Sequence, residues 1–224
     1  MKILEEAVAQ GRKTLSEYES KQFLASHGIP ICREALVQSE AQALQQAREI
    51  GFPVVMKACG AALTHKTEGN LVRLGLASAE DVSRAYRELT QAGQDGLDGV
   101  LVQEMVKGHR ELVIGLIRDA QFGPCVMFGF GGIFTEVLND VAFRVAPLLK
   151  WDATEMMEEI RARKILEPFR GEPAVDRDIL AQSLITLGQI GLDYPAIQEI
   201  DINPLKVREG KPIAVDALVV LADK

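Results

Sequence analysis

The spacing of hydrophobic residues predicts a chain that alternates helices and strands at first and becomes richer in strands later. The segment TLSEYESKQFLASHGIP is typical of a helix, with a capping box at Ser16 and Glu19 and a stop at Gly28. SEAQALQQAREIG repeats this pattern from Ser39, and Ser78 begins a further helix. PVVMKA predicts a buried strand, and NLVRLGL alternates with the period of a second strand.

The chain changes character from GVLVQEM onward. ELVIGLIRDAQFGPCVMFG predicts two strands joined by a turn, and VAFRVAPL predicts another strand. Two helices are expected at Asp152–Lys164 and Asp176–Gln189, followed by the closing strands IQEIDINPLKV and PIAVDALVVL. This order indicates an α+β protein of two lobes and argues against one doubly wound sheet.

Composition and charge exclude several classes of protein. The chain has 224 residues, a hydrophobic fraction of 47% and a formal net charge of −7; this acidic balance argues against a dedicated nucleic-acid binder. Its three widely spaced cysteines form neither a disulfide framework nor a metal knuckle. No apolar run approaches the length of a membrane span, and the N-terminus contains acidic residues that a signal peptide lacks. We therefore expect a cytoplasmic protein.

Two glycine-containing segments look like phosphate loops. GAALTHKT nearly matches a P-loop, but His65 replaces the second glycine and a strand pattern follows where a helix is required. GFGGIF lacks the third glycine of the dinucleotide fingerprint. Its glycines Gly129, Gly131 and Gly132 still permit close approach of the backbone to a ligand, although a tight turn without any ligand explains them equally.

Lys57 stands inside the apolar run PVVMKA. A buried ammonium without a counter-charge is costly, so Lys57 should face an anion or a carboxylate. The alternative is a lysine whose charged end reaches solvent beyond the end of the strand.

Acidic and amide residues in the last two strands suggest a magnesium site. Glu199, Asp201 and Asn203 alternate along one strand and should share a face. Asp216 interrupts the apolar segment IAVDALVV, and a hairpin would bring it beside Asn203. Magnesium prefers a few protein oxygens supplemented by water and phosphate. Solvent-facing residues at a hairpin edge are the alternative.

These segments, in this order, resemble the ATP-grasp fold, in which a nucleotide lies between two α+β lobes. The sequence is most similar to the β subunits of the ADP-forming acetyl-CoA and acyl-CoA synthetases, relatives of succinyl-CoA synthetase. The resemblance extends from Thr14 to Leu221 and is most specific in THKTEGNLV and in RELVIGLIRDAQFGPCVMFGFGGIFTEVLNDVAFRVAPL. It implies a short N-terminal helical segment on the second lobe (1–20) and two subdomains (21–105 and 106–224).

The resemblance also implies roles for individual residues. Lys57 would contact nucleotide phosphates, and Glu111 the nucleotide ribose. Arg144 would help neutralise phosphate, with an ion pair to Asp140 as the alternative. The remaining implied residues divide into an adenine-receiving hinge (Glu104, Met105, Val106), a phosphate-transfer loop (Gly131, Gly132, Glu136) and Mg²⁺ ligands (Asn203, Asp216 and, as an auxiliary, Asp201).

His65 is the most distinctive residue, because in these synthetases a histidine of the HK loop is thought to relay phosphate. A neutral imidazole is a good nucleophile near neutral pH, and Lys66 or nearby amides would steady the developing charge. A solvated loop histidine is the alternative. Many relatives have an acidic residue and two glycines after this pair, whereas this chain has Glu68, Gly69 and Asn70. Asparagine tolerates a left-handed backbone, so the turn can persist.

The resemblance implies an acid–thiol ligase that converts acyl-CoA, ADP and phosphate reversibly to acid, CoA and ATP. Its cofactors would be ATP/ADP and Mg²⁺. The acyl and CoA chemistry, with a second phosphohistidine, would lie on a separate α subunit in an α2β2 heterotetramer. One alternative is a catalytically silent nucleotide-sensing module of a larger assembly. A more remote one, an ATP-dependent carboxylate–amine ligase, would need an additional N-terminal substrate domain.

Overall fold

The structure is a computed structural model that describes residues 2–61, 63, 71–93, 96–131 and 140–222. Its contacts divide the chain into two compact units. The N-terminal unit comprises Thr14–Glu19 and Cys32–Val106, and the C-terminal unit comprises Met1–Lys13, Ser20–Ile31 and Lys107–Lys224. Among the residues just given, no helix is long and apolar enough to cross a membrane.

The N-terminal unit is a sheet with helices on one face. Its strands are β1 (Glu34–Val37), β2 (Val54–Cys59), β3 (Val72–Leu76) and β4 (Gly99–Glu104), antiparallel in the order β1-β4-β2-β3. Helices α3 (Glu40–Ile50) and α4 (Ala79–Ala92) pack against this sheet. Their apolar side chains form one core with alternate residues of β2 and β4, namely Val54, Met56, Ala58, Val100 and Val102.

The predicted helix starts in this unit are confirmed. Ser39 Oγ accepts the amide of Gln42 at 3.3 Å, and Ser78 Oγ accepts the amide of Asp81 at 3.1 Å. Each serine caps a helix because its hydroxyl replaces a hydrogen-bond partner that the first turn lacks.

The C-terminal unit contains β5 (Glu111–Asp119), β6 (Gly123–Phe130), β7 (Val141–Val145), β8 (Ile197–Arg208), β9 (Lys211–Ala214) and β10 (Leu218–Leu221). These strands form an antiparallel sheet in the order β10-β8-β5-β6-β7, and β9 pairs with the end of β8. Helices α5 (Lys150–Glu159) and α6 (Arg177–Asp193) pack on it. Also in the described chain are α1 (Lys2–Ala9), α2 (Glu17–Ser26) and a 3-10 helix (Arg163–Leu166).

The predicted helix at Asp152–Lys164 is wrong in its second half. Helix α5 ends at Glu159, and Ile160 has an extended backbone. The Asp140 carboxylate accepts the amides of Arg161 and Ala162, each at 2.7 Å, and so diverts them from helical hydrogen bonds. The predicted final strand is also interrupted, because β9 and β10 pair with different parts of β8.

Residues 20–31 lie in a different unit from the one that the sequence suggests. The prediction joined them to the first subdomain, but their contacts join them to the C-terminal unit. Ser20 Oγ accepts the amide of Val219 at 3.2 Å, and Pro30 O accepts the amide of Ala214 at 2.9 Å. The strands that bind this segment are more than 180 residues away in the sequence, so local patterning contains no sign of the pairing.

Candidate functional site

Lys57 lies inside the N-terminal unit and pairs with a carboxylate. Its Nζ donates to Glu17 Oε1 at 2.8 Å, and the two side chains are only 7% and 1% exposed. All six residues of β2 are buried, and β2 is an interior strand of its sheet. The prediction that Lys57 faces an anion or a carboxylate is confirmed, since a buried ammonium requires such a partner.

The position of Glu17 follows from the start of helix α2. Ser16 N donates to Glu19 Oε2 at 2.8 Å, and Glu19 N donates to Ser16 Oγ at 3.3 Å, which confirms the predicted capping box. Thr14 Oγ1 donates to Ala61 O at 2.8 Å, just beyond the end of β2. Glu17 is therefore held at the first turn of α2, where the helix dipole favours a carboxylate.

Sequence reasoning did not identify Glu17. The signal was available in the spacing of Glu17, Ser20, Lys21 and Leu24, which occupy positions i, i+3, i+4 and i+7 of α2. All four residues are buried, although three are polar or charged. Polar residues on the buried stripe of a helix need specific partners, and such a stripe is a reason to suspect a functional or organising role.

The predicted hinge residues end the N-terminal unit. The buried Glu104 carboxylate accepts from Arg33 N at 2.9 Å and from Arg33 Nε at 3.4 Å. Glu104 N in turn donates to Arg33 O at 2.9 Å. Val106 is buried, whereas Met105 is 40% exposed. The Glu104 side chain thus anchors the segment, and adenine binding by its backbone stays a prediction.

Glu111 begins β5 in the C-terminal unit and is half-buried. Its Oε1 accepts from Lys206 Nζ at 2.9 Å across the β5–β8 pair. The Glu111 carbonyl oxygen accepts the amide of Gly131 at 2.7 Å. A ribose contact by Glu111 stays a prediction, and in this structure Lys206 orients the carboxylate.

Gly131 lies against β5 so closely that a larger residue does not fit. A Cβ added at this position would lie 2.8 Å from Leu112 O and 2.9 Å from Leu112 C. Gly129 is similarly tight against Asp140 O at 2.8 Å. Close approach of two strands accounts for both glycines, because only glycine lacks the Cβ that would clash. The predicted role of Gly131 in phosphate transfer stays a prediction.

The predicted magnesium residues meet where β8, β9 and β10 join. Val215 N donates to Pro204 O at 3.2 Å, which brings the segment carrying Asp216 beside the segment carrying Asn203. Burial, followed by the negative charges of Glu199 and Asp216, raises the pKa of Asp201 to about 6. A carboxyl group among like charges in a partly buried place favours either a proton or a cation.

No group of three or more His, Cys, Asp or Glu side chains that could hold a metal ion occurs within the described ranges. The predicted ligand set differs from such a group, since it combines two carboxylates with the amide oxygen of Asn203. Mg²⁺ usually binds one or two carboxylates and completes its shell with water and phosphate. The predicted residues are therefore suited to a metal–nucleotide complex.

Arg144 and Asp140 do not form the ion pair considered as an alternative. Arg144, on β7, hydrogen-bonds to both carboxylate oxygens of Glu159 and lies 3.6 Å from Glu155 Oε2. The Glu159 hydrogen bond holds the pKa of Arg144 above its usual value. Asp140 instead accepts backbone amides at the end of α5. A phosphate contact by Arg144 stays a prediction, and the contacts seen here join β7 to α5.

Four residues of the predicted phosphate-relay segments lie outside the described residues. They are His65, Lys66, Gly132 and Glu136. The three cysteines are all described: Cys32 and Cys59 are buried, and Cys125 is half-buried.

Comparison with known proteins identifies the class to which these features belong. A family model described as an ATP-grasp domain matches residues 6–221. The chain belongs to the ATP-grasp family, and its two α+β units agree with that fold.

The chain is 42% identical over 224 residues to the β subunit of ADP-forming acetate–CoA ligase I from Pyrococcus furiosus, covering 98% of this chain and 96% of that protein. The acetyl-coenzyme A synthetase 1 of Ca. Korarchaeum cryptofilum, solved with coenzyme A, Ca-AMPCP and HgCl+, has a TM-score of 0.93 at 42% identity over 99% of both chains. A further structure of that enzyme contains coenzyme A and Mg-AMPPCP, with its phosphohistidine segment pointing towards the nucleotide binding site; its TM-score is 0.87 at 43% identity, again over 99% of both chains.

Proposed function

We propose that this chain is the nucleotide-binding β subunit of an ADP-forming acyl-CoA ligase. The reaction converts acyl-CoA, ADP and phosphate reversibly to a carboxylic acid, CoA and ATP. The observation that carries this proposal is the buried ammonium of Lys57, which pairs with the Glu17 carboxylate inside the N-terminal unit. Identity of 42% over nearly the whole length of a β subunit supports it.

Each residue of the site has a defined task in this function. The Lys57 ammonium binds nucleotide phosphate, and the backbone of Glu104, Met105 and Val106 receives adenine through hydrogen bonds. Glu111, oriented by Lys206, accepts a hydrogen bond from the ribose. Gly131, Gly132, Glu136 and Arg144 line the route of the transferred phosphate.

Asn203 and Asp216 would hold Mg²⁺, with Asp201 as an auxiliary ligand. The fit rests on the donor set, two carboxylates and an amide oxygen, carried by segments that the Val215–Pro204 hydrogen bond brings side by side. Burial and the charges of Glu199 and Asp216, which raise the pKa of Asp201, agree with it. When bound, Mg²⁺ would supply positive charge that offsets the negative charge of the nucleotide phosphates. Asn203, Asp216 and Asp201 would fix the position of that charge.

His65 accepts and passes on the phosphoryl group. Its neutral imidazole attacks the phosphorus of a phosphohistidine on the partner α subunit, the N–P bond of the donor breaks, and the phosphoryl group then passes to the terminal oxygen of ADP. The α subunit supplies the CoA site and the acyl chemistry, and we infer an α2β2 assembly in the cytoplasm.

The test is phosphate transfer from [γ-³²P]ATP, with the α subunit present, by wild type and by His65→Ala. We expect Mg-nucleotide binding in both and loss of transfer to the α subunit in the variant. Unchanged turnover by His65→Ala would remove His65 from the mechanism. Nucleotide binding by wild type without any transfer would instead support the silent sensing module.

A further inference from the structure

The side chain of Lys57 lies on the face of the N-terminal sheet opposite α3 and α4. Its neighbours Met56 and Ala58 belong to the core formed with those helices. Successive residues of a strand point to opposite faces, so Lys57 points away from that core. Its cross-strand partners are Leu101 on β4 and Val72 on β3, neither of which has a charge.

Other charged side chains near β2 in this unit have partners of their own. Arg73, opposite Met56, bonds to Glu88 of α4 at 2.8 Å on the core side of the sheet. Glu104 at the end of β4 bonds to Arg33. Glu19 accepts the amide of Ser16. Glu17, in the 14–19 segment of this unit, accepts a hydrogen bond from Lys57 Nζ at 2.8 Å.

Three hydrogen bonds keep Glu17 in this place. The capping box fixes the backbone of its helical turn, and Thr14 ties the same segment to Ala61 after the end of β2. The glutamate therefore meets Lys57 as part of a rigid element, which lowers the entropy that the pair must lose to form.

We propose that Glu17 is a positioning residue for the phosphate contact of Lys57: its carboxylate keeps the buried ammonium charged and directed before the nucleotide binds. The inference rests on the proposed function, because it assumes that Lys57 binds nucleotide phosphate. Without the carboxylate, burial would favour the neutral amine, and a neutral amine attracts phosphate weakly. In this role Glu17 acts through Lys57, which its carboxylate contacts at 2.8 Å.

The test compares the affinity for Mg-ADP of four forms of the full-length chain: wild type, Glu17→Gln, Lys57→Met and the double variant. Titration calorimetry at about pH 7 and about pH 9 measures each affinity. Glu17→Gln keeps the side-chain shape and an acceptor oxygen but removes the charge. Glu19→Gln is the matched control, since it makes the same chemical change in the same helical turn and retains a capping box.

We expect wild type and Glu19→Gln to bind equally, with little change between the two pH values. Glu17→Gln should bind Mg-ADP about 10-fold more weakly at about pH 9 than at about pH 7, because burial without the carboxylate favours the neutral amine. Lys57→Met should bind weakly at both values, and adding Glu17→Gln to it should change nothing further. A purely structural role of Glu17 would shift affinity at both pH values, and in the Lys57→Met background as well.

Two results would overturn the proposal in distinguishable ways. If Lys57→Met weakens binding but Glu17→Gln has the wild-type pH profile, Glu17 does not position Lys57, and the proposed function stands. If Lys57→Met binds Mg-ADP as wild type does, the phosphate contact assigned to Lys57 fails, and the role of Glu17 fails with it.

Discussion

The two units solve the problem of buried charge in opposite ways. In the N-terminal unit, Lys57 and Glu17 bring opposite charges to 2.8 Å. In the C-terminal unit, Asp201 lies among the like charges of Glu199 and Asp216, and its pKa rises to about 6. The first arrangement is electrically balanced within the chain, whereas the second is relieved when a cation or a proton binds. The Lys57 ammonium is therefore already directed by a carboxylate of the chain, whereas the carboxylates around Asp201 retain negative charge that can bind a cation.

The largest expected effect comes from breaking the balanced pair. Lys57→Met leaves the Glu17 carboxylate buried without its ammonium and should lower the free energy of unfolding by about 3–5 kcal/mol. Replacing both residues, as in Glu17→Met with Lys57→Met, should restore stability to within about 1 kcal/mol of wild type, because neither charge of the pair is then left buried without the other. Urea unfolding at about pH 7 measures both variants. A double variant as unstable as the single one would show that the lysine stabilises by packing and not by charge.

A substitution among the carboxylates should change the free energy of unfolding in the opposite direction, towards greater stability. Asp201→Asn removes a repelled charge and should raise the free energy of unfolding at about pH 7 by roughly 2–3 kcal/mol. The native protein binds this proton up to about pH 6, and the unfolded chain releases it near the ordinary value of 3.8. The native state therefore holds more protons across this window, and the contribution of Asp201 to stability falls as pH rises from about 4 to about 6.

The predicted gain in stability can be tested by measuring the free energy of unfolding of both proteins at several pH values without metal. The difference between Asp201→Asn and wild type should be small near pH 4 and complete by about pH 7. Glu199→Gln is the control, since it removes an exposed neighbouring charge and should produce part of the gain. A difference independent of pH would mean that the substitution acts through packing.

A smaller effect is expected from removing a proposed metal ligand. Asp216→Ala should weaken binding of Mg-ATP by at least about 10-fold while changing the affinity for ATP in EDTA much less. The reason is that its carboxylate contributes to nucleotide binding through the cation. Equal loss with and without Mg²⁺, measured by calorimetry, would contradict a metal role.

Many of the helices and strands could be predicted because they depend on the spacing of residues that are close together in the sequence. The capping box at Ser16 and the apolar run of β2 need only neighbouring residues, and a lysine inside a buried strand implies a counter-charge. The identity of that counter-charge could not be predicted in the same way, since Glu17 and Lys57 are 40 residues apart. The early end of α5 is similar, because Asp140 takes amides 21 and 22 residues later in the chain. The partner of Lys57 and the end of α5 both depend on contacts between residues far apart in the sequence, which local propensity does not predict.

The carboxylate site shows the same division. Alternation along β8 predicted that Asp201 and Asn203 lie near each other, and an acidic residue in an apolar segment drew attention to Asp216. Their actual meeting depends on the switch between β9 and β10, where Val215 bonds to Pro204. The segment PIAVDALVVL is divided between β9 and β10, which pair with different parts of β8. Its hydrophobic pattern is continuous, so the pattern does not predict this division.

The smallest expected effect tests whether the rigidity of the lysine pair comes from the helix cap. Ser16→Ala should cost about 1 kcal/mol of stability, because the amide of Glu19 loses its acceptor. Ser39→Ala removes an acceptor at the same distance of 3.3 Å from a helix that does not hold Glu17, and should cost a similar amount. Ser16→Ala alone should also weaken Mg-ADP binding, by about 2-fold, since the carboxylate that directs Lys57 becomes less ordered. Equal nucleotide affinity in the two variants would mean that Glu17 is held by its other contacts, and that the cap contributes to the fold without contributing to the site.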